Sequence, residues 1–274
     1  MGDQASRVAE RALSYGSVAE VYDQARPGYP PELFAHLAER VPGRRVLEVG
    51  AGTGKATLGL LAQGFSVTCV EPVAEMAAVL ARRTEGEPGA RIHLGTFESF
   101  AAPAGPGAFD ALLSAQAWHW TDPATRLDRA AALLRPGGFL GLFWNSGALR
   151  EQRAFAALEA LYDDFGLVGD DRPGEPIGST EAVAAVQDPN TWPADEIAAH
   201  PAFDYLGTSL FPWHQEFTAA GFADFLSSTS PYQVLEPAFR ERLLAEVTAM
   251  VRERFADRIT LDWSTQSYDA RRAA

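Results

Sequence analysis

The feature that most constrains the fold of this chain is a glycine-rich stretch, residues 46–54, which reads VLEVGAGTG. A short apolar run ends in an acid, Glu48, and three glycines then alternate with other residues, at Gly50, Gly52 and Gly54. The apolar sequence ATLGLL follows soon after and opens a helix. Glycine tolerates positive φ angles and lets a ligand approach the main chain closely. This strand, tight turn and helix therefore predict a binding site for a nucleotide-like cofactor.

Strands and helices alternate along most of the chain. Apolar runs predict seven strands, over residues 45–49, 65–71, 91–94, 111–114, 138–144, 211–217 and 258–268. Helical spacing of apolar residues predicts helices after the glycine turn and over residues 31–41, 72–83, 122–134, 149–165 and 238–255. This alternation favours an α/β fold, a doubly wound and mostly parallel seven-stranded sheet that binds its ligand at the carboxyl ends of the strands.

Charge and composition limit the partners of the protein. The formal net charge of −13 repels phosphate backbones and anionic lipid, so we expect neither nucleic acid nor a membrane surface as a partner. The single cysteine, Cys69, lies in an apolar run and is expected to be a buried thiol. Residues 1–10 lack an apolar signal segment, and no later run has the length of a membrane span. We expect a soluble, cytoplasmic protein that acts on a small molecule, and the oligomeric state stays open.

Two other nucleotide-binding motifs fit the glycine turn less well. A P-loop is excluded, because Val49 stands where that motif needs its first glycine and Lys55 is followed by Ala56. The dinucleotide fingerprint reads G-x-G-x-x-G, whereas here the third glycine, Gly54, comes one position early. This disfavours NAD without excluding it. The acid at the end of the second strand, Glu71, could hold a ribose in either kind of site.

The glycine stretch resembles the first motif of class I S-adenosylmethionine-dependent methyltransferases. Four further segments are similar to motifs of that family in order and spacing: VEP at 70–72, GTFE at 95–98, FDALLS at 109–114 and LLRPGG at 133–138. In addition, YDQARP at 22–27 and QAWHW at 116–120 are similar to a small-molecule, methyltransferase-11-like subgroup. The resemblance covers roughly residues 40 to 145 and implies a Rossmann-like methyltransferase fold with S-adenosyl-L-methionine as the cofactor.

The resemblance implies a set of cofactor-binding residues. These are Tyr22, Arg26, Glu48, Gly50, Gly52, Gly54, Glu71, Pro72, Met76, Phe97, Glu98, Ala115 and Gln116. Glu71 would accept the ribose hydroxyls, Glu48 would attract the methionine amino group, and Arg26 would pair with the methionine carboxylate from a lid. Glu48 has an alternative role as an acid that fastens the strand end, and Met76 has one as a core residue. The alternative for Glu98 is a surface charge.

The segment after the fourth strand is the predicted acceptor side of the site. Two tryptophans flank a histidine there, and aromatic faces both stabilise a sulfonium and stack on a flat acceptor. We predict that Trp118, His119, Trp144 and Asn145 contact the acceptor. His119 is the candidate catalytic residue, because a neutral imidazole can accept a proton from a hydroxyl or amine. Its alternative role is a loop hydrogen bond, and in-line displacement of the methyl group needs no base.

The sequence pattern divides the chain into four expected segments. They are an N-terminal helical lid (1–43), a cofactor-binding core (44–148), a helical and irregular insertion that forms the acceptor pocket (149–210), and the C-terminal part of the core sheet (211–274). Ser17 is expected to cap a helix in the lid, and Pro31 to start the next one. One short helix is expected in the insertion, near residues 180–187.

The predicted function is transfer of a methyl group from S-adenosylmethionine to a small, apolar or aromatic acceptor. The acceptor itself and the atom that is methylated leave no signature in the sequence. One alternative is a protein of the same fold that keeps the cofactor without methylating, as a cyclase or a sensor. A less favoured alternative is an NAD-dependent oxidoreductase. No metal site is predicted.

Overall fold

The computed structural model describes residues 19–169, 173, 177–178 and 192–274. The strands are β1 (Arg45–Val49), β2 (Ser66–Glu71), β3 (Ala90–Leu94), β4 (Phe109–Ala115), β5 (Leu134–Leu149), β6 (Ile177–Gly178), β7 (Phe203–Thr218) and β8 (Arg258–Arg272). The helices are α1 (Ala19–Ala25), α2 (Pro31–Arg40), α3 (Lys55–Ala62), α4 (Ala74–Arg83), α5 (Arg126–Leu133), α6 (Gln152–Asp164), α7 (Ala194–Ala199), α8 (Ala219–Ser227), α9 (Ser230–Gln233) and α10 (Pro237–Arg254). The predicted cap Ser17 and the helix predicted near 180–187 lie outside the described residues.

One sheet organises these elements, with its strands in the order β3-β2-β1-β4-β5-β8-β7. The strands from β3 to β5 are parallel, and β8 runs antiparallel between β5 and β7. The short strand β6 pairs with β5 outside this order. The doubly wound, mostly parallel seven-stranded sheet predicted from the sequence is therefore confirmed. Its parallel order reverses between β1 and β4, where ligands bind in folds of this type.

The strands at the antiparallel end of the sheet are longer than the apolar pattern predicts. β5 continues to Leu149 and β7 begins at Phe203, because both pair with β8 over nearly its whole length. Glycine and proline interrupt the hydrophobic pattern in this region. Gly147 is required there, since a Cβ atom would lie 2.6 Å from the ring of Trp263. Pro212 is tolerated because β7 is an edge strand of the sheet in the described part of the chain.

The long strands extend past the carboxyl end of β4 and carry a second layer of helices. We call α6, α8, α9 and α10 the cap. The cap buries its apolar faces against the strand extension in a cluster separate from the core of the parallel sheet. Phe225 of α8 and Trp263 of β8 meet edge to face in this cluster, with ring centroids 5.6 Å apart. The cap therefore stands beside the carboxyl edge of the parallel strands, where the cofactor site was predicted.

Side chains of the parallel strands alternate between two buried faces. Helices α2 and α3 cover the first face, where Leu37 and Leu60 pack on Val46. Cys69 is buried in the same cluster, as predicted. Helices α5 and α7 cover the second face, in a cluster that also holds the aromatic residues after β4. The second face therefore belongs to the predicted acceptor side.

Asp110, at the start of β4, fastens the amino end of the parallel strands. Its carboxylate accepts hydrogen bonds from the backbone amides of Arg44 and Arg45 at 3.1 and 3.0 Å, and from the side chains of Arg45 and Arg135. Burial opposes its ionisation, but these bonds outweigh burial and hold the pKa of Asp110 well below its usual range. The ionised carboxylate therefore contributes stability near neutral pH.

We expect Asp110→Asn to lower the free energy of unfolding by about 2–3 kcal/mol at pH 7, because charge-assisted hydrogen bonds are lost. A carboxyl with a lowered pKa contributes stability above the pKa of the unfolded chain, and this stability is lost as the pH falls. The difference in unfolding free energy between the variant and the parent should therefore become smaller below about pH 4. Urea denaturation across pH measures it, with the exposed substitution Asp224→Asn as the control. A gap independent of pH would contradict the assigned role.

Candidate functional site

The glycine turn joins the carboxyl end of β1 to α3. Gly50 and Gly52 have φ angles of 70° and 57°, which glycine adopts without strain. A Cβ atom on Gly50 would lie 2.3 Å from Cβ of Ala117, so this glycine lets the segment after β4 rest on the turn. A Cβ atom on Gly52 would meet no described atom within 4 Å. The turn therefore faces open space at Gly52, next to the carboxyl edge of the sheet.

Glu71 ends β2 beside this open space and is 5% exposed. One carboxylate oxygen accepts a hydrogen bond from the amide of Gly52 at 2.8 Å, and the other accepts one from the amide of Val73 at 2.9 Å. Burial raises the pKa of Glu71, although both hydrogen bonds lower it. The carboxylate is thus held rigidly against the turn, and each oxygen keeps a second lone pair for another donor.

Glu48 lies beneath the turn and is buried. Its Oε2 atom accepts a hydrogen bond from the hydroxyl of Thr57 at 2.6 Å, which ties β1 to α3. Its Oε1 atom has no hydrogen-bond partner among the described residues. Burial raises the pKa of Glu48 to about 7, Thr57 lowers it, and the charge of Glu71 raises it further. Glu48 therefore has the alternative role given above, that of an acid that fastens the end of the strand. Contact between Glu48 and the cofactor stays a prediction.

The raised pKa of Glu48 predicts a pH-dependent stability. Between about pH 4.5 and 7 the unfolded chain releases the proton that the folded protein keeps, so stability is lost as the pH rises, by on the order of 3 kcal/mol. We expect Glu48→Gln to remove this loss. Urea denaturation should then show that the unfolding free energy of the variant rises relative to that of the parent as the pH is raised from 4.5 to 8. Glu87→Gln, in an exposed turn, is the control. Parallel pH profiles for Glu48→Gln and the parent would contradict the prediction.

Helix α1 lies across the glycine turn. The ammonium group of Lys55 donates a hydrogen bond to the carbonyl oxygen of Asp23 at 2.7 Å, and the Asp23 carboxylate pairs with Arg83 of α4. Burial lowers the pKa of Lys55 to about 8. The charge of Asp23 opposes this lowering, and the charge of Arg83 adds to it. Tyr22 packs against the cluster that holds Met76. Lys55, which the sequence singles out only through the mismatch with a P-loop motif, thus fastens α1 over the turn.

Arg26 joins α1 to the cap. Its guanidinium donates to the carbonyl oxygen of Ser228 at 3.3 Å and lies 5.3 Å from the ring centre of Tyr22 and 6.0 Å from that of Phe225. Its Nε atom is buried and has no hydrogen-bond partner in the described part of the chain. The end of α1 is therefore attached to α3, to α4 and to the cap. Its role as a lid and the pairing of Arg26 with a carboxylate of the cofactor stay predictions.

The segment after β4 brings Gln116 and Trp118 to the turn. Gln116 has a φ angle of 55°, which is unusual outside glycine, and its amide donates to the carbonyl oxygen of Phe143 at 2.9 Å. Trp118 is fully buried, 5.7 Å from the ring of Phe97. Both aromatic residues therefore form the packed floor of this region. Ala115, the last residue of β4, is half-buried.

His119 sits at the protein surface against Trp120, with ring centroids 4.5 Å apart. Although the residue is exposed, neighbouring protein atoms desolvate its ring, and together with the charge of Arg126 they lower its pKa to about 4. The imidazole is therefore neutral at pH 7 and has a free lone pair, but a pKa this low makes it a weak base. A catalytic role for His119 stays a prediction.

Two of the other predicted cofactor residues have contacts of their own. Glu98 accepts a hydrogen bond from the amide of Asp122 at 2.9 Å, which fixes the loop before α5. Pro72 separates Glu71 from Val73 and ends β2. Their roles toward an adenine ring stay predictions.

The two predicted acceptor residues on β5, Trp144 and Asn145, lie on opposite faces of the sheet. Successive side chains of a strand point to opposite faces, so Trp144 and Asn145 cannot line the same surface. Trp144 is half-buried on the second face, in edge-to-face contact with Trp192 and Tyr268 at 5.2 and 5.8 Å. Asn145 donates to the carbonyl oxygen of Gly28 at 2.9 Å on the first face. It therefore holds the segment after α1, and contact with an acceptor stays a prediction.

Sequence reasoning missed an ion pair on the acceptor side. Arg126, at the start of α5, is buried and makes two hydrogen bonds to the carboxylate of Glu196 in α7. Its guanidinium carbon lies 5.8 Å from the ring centre of Trp118 and 5.5 Å from that of Trp192, and Trp192 donates to Glu196 at 2.8 Å. Glu196 comes from a stretch predicted to be irregular, and no local pattern pairs it with Arg126.

Two kinds of feature are absent from the described residues. No group of histidine, cysteine, aspartate or glutamate side chains there is arranged to hold a metal ion. No helix in the same part of the chain has the length and apolar character needed to cross a membrane.

Comparison with known proteins gave matches over the same region. Residues 47–142 match a family model described as a methyltransferase domain. An uncharacterized methyltransferase from Geobacillus kaustophilus is 31% identical over 183 residues, which cover 61% of this chain and 82% of the relative. One from Mycobacterium tuberculosis is 44% identical over 137 residues, which cover 50% of this chain and 54% of the relative. The chain thus spans about half the length of the mycobacterial relatives it matches.

A solved structure from Anaeromyxobacter dehalogenans, named for a type II methyltransferase, has the same fold. Its TM-score is 0.60 at 22% sequence identity, and the alignment covers 90% of this chain and 97% of that one.

Proposed function

This chain belongs to the class I S-adenosylmethionine-dependent methyltransferase family, and from that premise we propose that it moves a methyl group from S-adenosylmethionine to a small, apolar or aromatic acceptor. The observation that carries the proposal is the open space at Gly52, where a Cβ atom would meet no described atom within 4 Å. Glu71 borders that space through its hydrogen bond to the Gly52 amide. A turn that approaches a ligand this closely needs glycine.

The polar atoms around the turn fit the polar groups of the cofactor. Arg26 Nε, Glu48 Oε1 and Thr53 Oγ1 are all buried without a hydrogen-bond partner among the residues described. Buried polar groups are rarely left unpaired, so such atoms indicate a ligand. The guanidinium of Arg26 and the carboxylate of Glu48 match the carboxylate and the amino group of the methionine part, respectively. Glu71 keeps free lone pairs for two ribose hydroxyls.

The cofactor would supply an electrophilic methyl group on a sulfonium. The protein would contribute binding and orientation. Glu71 and the turn would fix the ribose, α1 would cover the site and exclude water, and the aromatic residues after β4 would face the acceptor. Orientation of two reactants in line can supply on the order of 7–11 kcal/mol of the barrier. With His119 neutral at pH 7, its ring could take up a proton that the acceptor releases, although displacement does not require this.

Transfer of an isotopic label tests this proposal. The protein is incubated with S-adenosylmethionine that carries a trideuterated methyl group and with a pool of neutral aromatic hydroxy and amino compounds. We expect a compound that has gained one labelled methyl group by mass, together with S-adenosylhomocysteine. Binding of S-adenosylhomocysteine without label transfer to any compound would favour the non-methylating alternative. Failure to bind the cofactor at all would overturn the proposal.

A further inference from the structure

Gln266 of β8 has a buried amide that the fold does not satisfy. The residue is 1% exposed. Its carbonyl oxygen accepts a hydrogen bond from the hydroxyl of Ser146 at 3.4 Å, while its Nε2 atom is buried without a hydrogen-bond partner among the described residues. An unpaired buried donor carries a free-energy penalty, so its presence needs a reason. The side chain takes no part in the cofactor-binding turn, and no sequence motif includes it.

The position of Gln266 in the sheet places it on the acceptor side. It pairs with Trp144 across the antiparallel strands, so the two side chains share the second face of the sheet. Tyr268 shares that face, two residues along the same strand, and packs edge to face on Trp144 at 5.8 Å. The amide donor of Gln266 therefore stands in aromatic surroundings.

The distance between Gln266 and the end of β4 suits a small acceptor that reaches the proposed position of the methyl group. The end of β4 at Ala115 pairs with Phe143 of β5, and the next residue, Trp144, pairs with Gln266. Gln266 is thus two strands away from the end of β4, which corresponds to about 10 Å. A small aromatic molecule that contacts Trp144 spans such a distance between the site of the reactive methyl group and the amide.

The charges near this surface favour a neutral ligand. The buried guanidinium of Arg126 lies 5.5 Å from the ring centre of Trp192, and its charge is compensated by two hydrogen bonds to Glu196. A carboxylate or phosphate on the ligand would therefore find no uncompensated partner in Arg126. A carbonyl or ether oxygen on a flat ring would accept a hydrogen bond from Gln266 without bringing in a charge.

We propose that Gln266 determines acceptor specificity, and that its amide donates a hydrogen bond to an uncharged oxygen of a planar aromatic acceptor that lies against Trp144. This inference rests on the proposed function. It assigns the polar contact that orients the acceptor, since an apolar surface alone holds a flat ring in several orientations. A site built to hydrogen-bond a ligand also discriminates against the analogue that lacks the oxygen, because the buried amide is then left unpaired.

Two ligands of nearly equal shape test the proposal: 2-acetonaphthone, which carries a carbonyl oxygen, and 2-ethylnaphthalene, which lacks it. Equilibrium dialysis gives the dissociation constant of each, with and without S-adenosylhomocysteine. We expect the parent protein to prefer the ketone by about tenfold or more. Gln266→Leu should bring the two constants within about threefold of each other by weakening ketone binding. Gln266→Met serves the same purpose should the leucine variant fail to fold.

Gln215→Leu is the matched control, because Gln215 lies on the other face of the same sheet and pairs with Leu261 of β8. It should keep the preference of the parent protein. The proposal is overturned if the parent shows no preference for the ketone, or if Gln266→Leu retains it. Binding of S-adenosylhomocysteine to all three proteins is measured in parallel and should stay unchanged. If S-adenosylhomocysteine does not bind the parent protein, the proposed function is refuted. The preference for the ketone, measured without the cofactor, tests the role of Gln266 independently of that result.

Discussion

Gly52→Val is expected to weaken binding of S-adenosylhomocysteine by more than about 100-fold, which corresponds to roughly 3 kcal/mol. The valine side chain would project into the open space in front of the turn, where a Cβ atom meets no described atom within 4 Å. That space is the proposed position of the cofactor. A β-branched residue at a φ angle of 57° is also strained, by on the order of 1–3 kcal/mol. Isothermal titration calorimetry measures the change in affinity.

Gly64→Val separates the two effects. Gly64 follows the other end of α3, has a φ angle of 78°, and a Cβ atom there would also meet no described atom within 4 Å. The control therefore carries similar backbone strain in open space, away from the glycine turn. We expect both variants to lose thermal stability to a similar extent, and Gly64→Val alone to keep its affinity. Equal affinity in the two variants would contradict the position assigned to the cofactor.

Glu71→Gln is expected to weaken cofactor binding by about 100-fold. The carboxylate now accepts hydrogen bonds from the amides of Gly52 and Val73 with one oxygen each. The glutamine amide has only one oxygen, so its NH₂ group would face a backbone donor and disturb the turn. The charge-assisted bonds proposed for the ribose hydroxyls would be lost as well. Calorimetry on the variant, and on a cofactor analogue with a 2′-deoxyribose, measures both contributions.

Glu236→Gln is the matched control for this variant. Glu236 precedes α10 and likewise accepts hydrogen bonds from two backbone amides, those of Ala238 and Phe239, at 3.1 and 2.8 Å. The control should lower the free energy of unfolding, because α10 loses part of its N-terminal cap, and should leave cofactor affinity unchanged. If both variants bind the cofactor like the parent protein, Glu71 is a structural acid of the turn and does not hold the ribose.

The elements that form the proposed cofactor half of the site could be predicted from the sequence because their signals are local. The glycine turn, the acid at the end of β2 and the proline at the start of α2 each act within a few residues of themselves. Parallel strands then bring their carboxyl ends together without further information. One available inference was overlooked: Trp144 and Asn145 are neighbours on a strand, and the alternation of side chains already places them on opposite faces.

The proposed acceptor half depends on contacts between distant parts of the chain. Arg126 and Glu196 are 70 residues apart, and Ser146 and Gln266 are 120 residues apart. Neither pair has a motif or a spacing that could identify it. The extension of β5 to Leu149 was equally hidden, since Gly147 and polar residues interrupt its apolar pattern. Contacts of this kind become visible only when the register of the antiparallel strands is known.

Titration of the parent protein with S-adenosylhomocysteine in a calorimeter tests the central claim most directly. We expect saturable binding with one cofactor per chain and a rise in unfolding free energy of about 2.7 kcal/mol when the ligand is present at 100 times its dissociation constant. NADH should give neither. No heat and no stabilisation with S-adenosylhomocysteine, or stabilisation by NADH instead, would contradict the assignment of the glycine turn to a methyltransferase cofactor.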